Sequence, residues 1–167
     1  MTKLKYKIVD NFLPKENIKN IKELLLSSTF PYFFHDRVAK VDNEYTQHYF
    51  YCHTLFLHNK INSDYFNFFN ENYFKFLDIK SLIRVKINMY PSMKTDRLLN
   101  DPHIDYSYKH KGALLYVNTC NGSTILKDKT KITSVENRVL FFDPSKEHDV
   151  EYSSDVKVRI NIQVNYF

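Results

Sequence analysis

Four residues in the C-terminal part of the chain have the types and order to do chemistry together: His103, Asp105, His148 and Arg159. In an extended segment residues i and i+2 share a face, so His103 and Asp105 of His103-Ile104-Asp105 can reach one ion. His148, brought in by a distant strand, supplies the third ligand. Two imidazoles and one carboxylate on one face of an octahedron leave three positions open, which suits a non-haem Fe(II) that activates oxygen. The open positions point to a catalytic metal rather than a structural one. Arg159 stands on an alternating tail, Val158-Arg159-Ile160-Asn161-Ile162-Gln163-Val164, and its planar, permanently charged fork fits a carboxylate. A His-x-Asp triplet is a weak signal in a chain with 7 His. The specificity lies in the ordered set, in which Arg138-Val139-Leu140-Phe141-Phe142-Asp143-Pro144 leads into a loop carrying His148 and a lone arginine follows on a strand.

These residues need strands to hold them, and the sequence supplies them. Ser81 to Tyr90 alternates apolar with basic or polar residues, a strand with one buried face that Pro91 closes. The loop 91–101 ends where the metal pair begins and is placed to cover substrate. Short strand patterns follow at 113–118, 123–126, 132–135, 139–142, 150–152 and 156–167, with a turn at Asn121-Gly122-Ser123. Many short strands without intervening helices imply a sandwich or barrel. Upstream, Leu4 to Val9 reads as a strand and Asp10-Asn11 as a turn. Pro14 opens a helix with Ile18, Ile21, Leu24 and Leu25 on one stripe. Phe30 to Phe34 is aromatic and irregular, and 45–58 holds one or two strands. His48, His53 and His58 do not form a metal set, because at five-residue steps His53 faces away from the other two. Ser63 to Leu77 reads as a second helix, with Ser63 as its cap and Phe66, Phe69, Tyr73, Phe74 and Leu77 on its core stripe. Both helices are expected on the outer face of the β structure. With no repeat or linker, residues 1–167 are expected to be one domain, 1–80 supplying helical support and substrate-side segments and 81–167 the core.

Composition sets outer limits. The chain has 167 residues, 43% hydrophobic and 16% aromatic, enough for a real core and too apolar for disorder. Net charge is +5, but the basic residues are mostly lysines scattered singly. Together with abundant Asn, Ile, Tyr and Phe this reflects a coding bias, so it is weak support for a nucleic-acid partner and mildly favours an acidic substrate. The two cysteines, Cys52 and Cys120, are not in metal or disulfide spacing and are expected as free thiols in a reducing compartment. No stretch approaches a membrane span and no signal-peptide core is apparent, so a soluble cytoplasmic protein is expected, in the host cytoplasm if viral.

With these residues in view, the chain resembles the Fe(II)/2-oxoglutarate-dependent oxygenases, in particular their prolyl-4-hydroxylase-like branch and small members of it found in phage genomes. The resemblance is continuous from about Leu82 to Phe167. The family's metal ligands fall on His103, Asp105 and His148, and its basic residue for the far carboxylate of 2-oxoglutarate falls on Arg159. The family's Tyr-Pro falls on Tyr90-Pro91 and its aromatic-Leu-Asn strand on Leu115-Tyr116-Val117-Asn118, so Tyr90 and Tyr116 are expected to hydrogen-bond the cosubstrate. The family's glycine-rich turn is here Asn121-Gly122-Ser123-Thr124, with serine in place of one glycine. The resemblance implies a double-stranded β-helix, or jelly-roll, with two helices on one sheet. It also implies Fe(II), 2-oxoglutarate and O2 as cofactor and cosubstrates, with ascorbate as a stimulant. The implied activity is hydroxylation with release of succinate and CO2, on a protein side chain such as proline. Two alternatives stay open: an oxygenase that modifies nucleobases, and a non-catalytic metal-binding jelly-roll module.

Overall fold

The structure is a computed structural model, and it describes residues 6–36, 48–95, 97 and 102–167. Eleven strands and two helices follow in the order β1 (Lys7–Val9), α1 (Lys15–Leu25), β2 (Phe33–His35), β3 (Phe50–Leu57), β4 (Lys60–Ile61), α2 (Phe66–Asn72), β5 (Leu82–Pro91), β6 (Lys111–Tyr116), β7 (Ser123–Leu126), β8 (Lys131–Thr133), β9 (Arg138–Phe142), β10 (His148–Glu151) and β11 (Val158–Tyr166). A 3-10 turn at Phe74–Phe76 follows α2. The strands form two facing antiparallel sheets. The large one runs β1-β9-β6-β11-β5-β3-β2 with β4 beside β3, and the small one runs β10-β7-β8. This is the jelly-roll with two helices packed on one sheet that the resemblance implies, and it agrees with the sandwich or barrel read from the strand pattern.

The pairing of β11 with β5 determines what faces inward. In register, Arg159 lies opposite Tyr90, Asn161 opposite Asn88, Gln163 opposite Lys86 and Asn165 opposite Arg84. Residues directly opposite in an antiparallel pair share a face, so the inner face of these central strands is polar along its length. Their outer face is apolar. Val85 and Ile87 of β5, Ala113 and Leu115 of β6, and Ile160, Ile162 and Val164 of β11 pack with Ile18, Ile21 and Leu25 of α1 and with Phe69 of α2 in one buried cluster. Each helix can bury its apolar stripe only against that surface.

Helix α1 starts after Pro14, as its fixed φ favours, and has Glu16 in its first turn and Lys22 in its last, complementing the helix dipole. The second helix is shorter than its apolar stripe predicts. Ser63 does not cap it: its hydroxyl instead accepts from the Tyr65 N–H (3.2 Å) and meets Nε2 of His53 (2.8 Å), and the helix begins at Phe66. It breaks at Tyr73 (φ −139°, ψ −55°), after which a 3-10 turn places Phe74 in the core. His148 opens β10 rather than standing in a loop. Conversely, His103 and Asp105 are not on a strand: His103 makes a single bridge to His148. His53 is a structural histidine, held by Ser63 and by the Pro31 carbonyl (2.7 Å). Both cysteines are free and buried. Among the described residues no helix is long and apolar enough to cross a membrane. Much of the 91–101 loop, at 96 and 98–101, lies outside the described residues, as does 37–47 of the aromatic segment.

Because Ile162 is fully buried at the centre of β11, Ile162→Ala should lower unfolding free energy by about 2–5 kcal/mol, from lost apolar burial plus the cavity left behind. Urea unfolding should show this as a lower midpoint with an unchanged slope; an effect under about 1 kcal/mol would contradict the packing described.

Candidate functional site

His103, Asp105 and His148 each offer a ligand atom, and these atoms lie within 4.8 Å of one another. The local structure explains the convergence. The His103 N–H donates to the His148 carbonyl and the His148 N–H to the His103 carbonyl, both at 2.9 Å, a reciprocal pair that stacks the two histidines side by side. Their ring centroids are 4.5 Å apart. Two residues on, the Asp105 N–H donates to the Pro144 carbonyl at 2.9 Å, so the extended spacing is kept by hydrogen bonds to the segment before β10.

The donor set is poised for a divalent cation. Nδ1–H of His148 donates to the Lys146 carbonyl (3.0 Å), which fixes the tautomer and leaves Nε2 with its lone pair. Burial lowers the pKa of His148 to about 4, reinforced by the neighbouring His103, so the ring is neutral at physiological pH. Nδ1 of His103 is buried without a hydrogen-bond partner. Burial alone would raise the Asp105 pKa. The Arg84 guanidinium, the two histidines and Asn165 outweigh it and hold the carboxyl below the usual carboxylate range. Two imidazoles and one carboxylate form a ligand set that non-haem iron(II) fits.

Three residues that sequence reasoning missed hold that carboxylate. Arg84 Nη2 donates to Oδ1 at 2.5 Å, while Asn165 Nδ2 donates to Oδ2 at 2.8 Å and Gln163 Nε2 reaches the same oxygen. Asn165 is held in turn by His110, whose Nε2 accepts from the same amide at 2.8 Å. The only signal available beforehand was the polar alternation of the two strands, which shows a polar face but not which residue on it meets Asp105.

Arg159 lies on the same inner face. It is fully buried (0% exposed), and its Nη2 donates to Thr124 Oγ1 at 3.0 Å, while Nε and Nη1 have no partner. The rings of Tyr90 and Tyr116 flank the guanidinium, each centroid 5.5 Å from its central carbon. The Tyr116 hydroxyl donates to Thr124 (2.9 Å), so Thr124 links this tyrosine to the arginine. Gly122 is needed where it stands, because a Cβ there would come within 2.8 Å of Arg159 Cδ and 2.9 Å of the Glu151 carbonyl oxygen. The serine that follows it in the turn is buried and donates to Glu151. A buried guanidinium with two unsatisfied edges is costly by several kcal/mol unless an anion completes it. A carboxylate that accepted from Nε or Nη1 would do so, and 2-oxoglutarate carries one.

In the metal-free protein the histidine has a consequence of known sign. Its folded pKa of about 4 lies below the unfolded value of 6.5, so between these values the unfolded chain binds more protons and stability falls as pH falls. Asp105 acts in the same direction below its own unfolded pKa of 3.8. Between pH 6.5 and 4 the metal-free protein should therefore lose about 3 kcal/mol through His148, and His148→Gln should flatten that slope. Urea titrations of both proteins across this range check it, and identical slopes would contradict the burial of a neutral imidazole.

No protein-family model matches the chain, and no curated protein matches it by sequence. Solved structures do. A prolyl hydroxylase from Trichoplax adhaerens, in complex with a hypoxia inducible factor oxygen degradation domain peptide fragment, is similar with a TM-score of 0.66 at 17% identity, covering 97% of this chain and 83% of that one. The non-heme alpha ketoglutarate dependent epimerase SnoN from nogalamycin biosynthesis gives 0.64 at 11% identity, over 98% and 78% of the two chains. A Pseudomonas putida prolyl-4-hydroxylase gives 0.57 at 12% identity, over 99% and 94%. At such identities the likeness is one of architecture, and the chain has the jelly-roll fold of the iron(II)- and 2-oxoglutarate-dependent oxygenases.

Proposed function

We propose that the protein is an Fe(II)- and 2-oxoglutarate-dependent dioxygenase that hydroxylates a C–H bond of a protein or peptide side chain, proline being the first candidate. The observation that carries the reading is the buried Arg159 guanidinium, left with two free donor edges on the same inner face as the His103, Asp105 and His148 cluster. A binding module needs a metal set or an anion pocket; it has no need of the two side by side. The whole chain, 1–167, would act as one domain, with 81–167 as the catalytic core and 1–80 as support and substrate-side segments. Two buried free cysteines fit a reducing cytoplasm.

In this reading His103, Asp105 and His148 hold the iron. Arg159 and Thr124 take the far carboxylate of 2-oxoglutarate, with Tyr90 and Tyr116 walling the guanidinium on both sides. Bound there, iron with 2-oxoglutarate and O2 supplies the oxidative chemistry: one oxygen atom enters the substrate C–H bond and the other enters succinate as CO2 is released. The chain's own share is positional. Arg84, Gln163 and Asn165 hold Asp105 ionised and oriented, and the Lys146 carbonyl fixes the His148 tautomer. The apolar cluster of Tyr90, Phe50, Val150 and Tyr152 closes one end of the interior against water. A peptide substrate is favoured by the exposed Phe33 (60% exposed) on β2, which lines a groove with Cys52 and Thr54. The Trichoplax adhaerens enzyme, of similar fold, was solved with a peptide bound.

The roles separate experimentally. Purified protein with Fe(II), ascorbate and O2 should convert 2-oxoglutarate to succinate, and His103→Ala should not. Asp105→Ala and His148→Ala should each lose the metal and with it turnover. Arg159→Ala should keep the metal and need about 100-fold or more 2-oxoglutarate, since it removes charge-assisted hydrogen bonds from a buried carboxylate. Metal content by elemental analysis and 2-oxoglutarate titration check this; equal metal loss in all variants would contradict the division of roles, and no succinate from the wild type would remove the reading.

A further inference from the structure

One cation on the inner face has no role in holding either the metal ligands or the proposed cosubstrate. Lys86 stands on β5 between Arg84, which grips Asp105, and Asn88, which donates to Asn161 at 3.1 Å. In register it lies opposite Gln163 on one side and Thr54 on the other, so it faces the interior between the metal cluster and β3. Its charge is felt by Cys52 and by His35, and it feels Arg84 and Asp105 in turn. Asp105 is the one carboxylate in that group, and its oxygens already accept from Arg84, Gln163 and Asn165. The ammonium is therefore half-buried, and no carboxylate among the described residues pairs with it.

Beside it, a groove of about 690 Å³ runs along β2 and β3, lined among others by Phe33, His35, Cys52, Thr54, Asp64 and Tyr65. By register Phe33 and Cys52 share a face, as do His35 and Phe50, and Thr54 and Lys86. Thr54, which lines the groove, is the cross-strand neighbour of Lys86, so the lysine stands directly beside it. We propose that this groove takes an extended acidic peptide and that Lys86 receives the carboxylate of an Asp or Glu side chain close to the residue that is oxidised. The proposal rests on the oxygenase reading and names the substrate class for it.

Three physical points support it. Burial lowers the pKa of Lys86, opposed only in part by Cys52 and Asp105, so an anion arriving beside it restores a lost interaction rather than adding a surface contact. The flanking Thr54 hydroxyl and Gln163 amide can orient one carboxylate around a single point charge. A phosphate is more commonly met by a guanidinium fork or a helix N-terminus, and Arg84, the guanidinium nearby, is committed to Asp105. Finally, the net charge of +5 favours approach of an acidic chain over a basic one.

The test uses the full chain and two fluorescent peptide pools of equal length, both containing proline, one rich in Glu and one rich in Lys. Anisotropy titration of the wild type should give at least about 10-fold tighter binding of the Glu pool. Lys86→Arg should keep that ratio and Lys86→Glu should abolish or invert it. Lys19→Glu makes the same charge change on an exposed position of α1, which packs on the opposite face of the sheet, and should keep the ratio. No preference in the wild type, or the same loss in Lys19→Glu as in Lys86→Glu, would overturn the proposal. Succinate formation measured in the same samples keeps the two readings apart. A wild type that makes succinate but binds both pools equally loses only the Lys86 assignment; one that prefers the Glu pool but makes no succinate loses the oxygenase.

Discussion

The interior of this jelly-roll contains a buried carboxylate and a buried guanidinium that do not pair with each other, and the surrounding structure follows from keeping them apart. Asp105 and Arg159 are opposite charges on one inner face. Had they met, the ion pair would have neutralised both, and neither a metal nor an anionic cosubstrate would have had a charge to bind. Instead Asp105 is satisfied by Arg84, Gln163 and Asn165 at one end of the β5–β11 pair, and Arg159 is clasped by Thr124 and two tyrosine rings at the other. Between them Asn88 and Asn161 hydrogen-bond to each other, and Lys86 lies on the same face between that pair and Arg84.

Such an interior is expensive, and the outer face of the same sheet offsets it. Most of the apolar residues that point outward from β5, β6 and β11 pack into the cluster shared with α1 and α2. Buried polar groups in a fully satisfied network rigidify a site, whereas unsatisfied ones mark where a ligand is wanted. Among the described residues the unsatisfied buried side-chain atoms fall into three groups: those at the proposed ligand sites, Arg84 Nε and Asn165 Oδ1 beside Asp105, and the Tyr73 and Ser153 hydroxyls. The Arg159 donors and Nδ1 of His103 belong to the residues of the proposed ligand sites. The Tyr73 hydroxyl lies on the helix side, and for its missing partner we have no physical account.

The Asn121-Gly122-Ser123-Thr124 turn is tight at one position and open at the next. Gly122 has no room for a Cβ beside Arg159. Ser123 has room for a side chain because it lies in β7 and donates to Glu151 across the ladder. The turn therefore depends on space at one residue rather than on glycine content.

The sequence by itself determined the strand pattern, a sandwich or barrel of strands and the outer helices, and it singled out His103, Asp105, His148 and Arg159, because period-two alternation and the donor chemistry of His, Asp and Arg are local properties; the jelly-roll came from the resemblance. The sequence misjudged features that depend on what packs alongside. The second helix was legible as a stripe of Phe66, Phe69, Tyr73 and Phe74, but its break at Tyr73 is set by the core those rings must fill. His148 begins a strand rather than occupying a loop because His103 pairs with it, a contact between segments forty-odd residues apart. Only the tertiary structure decided that Arg84, Gln163 and Asn165 converge on Asp105, that Thr124 joins Tyr116 to Arg159, and that no carboxylate among the described residues pairs with Lys86. Cross-strand register makes those assignments, and register is fixed by how the two faces of the whole sheet are buried, which no single strand encodes.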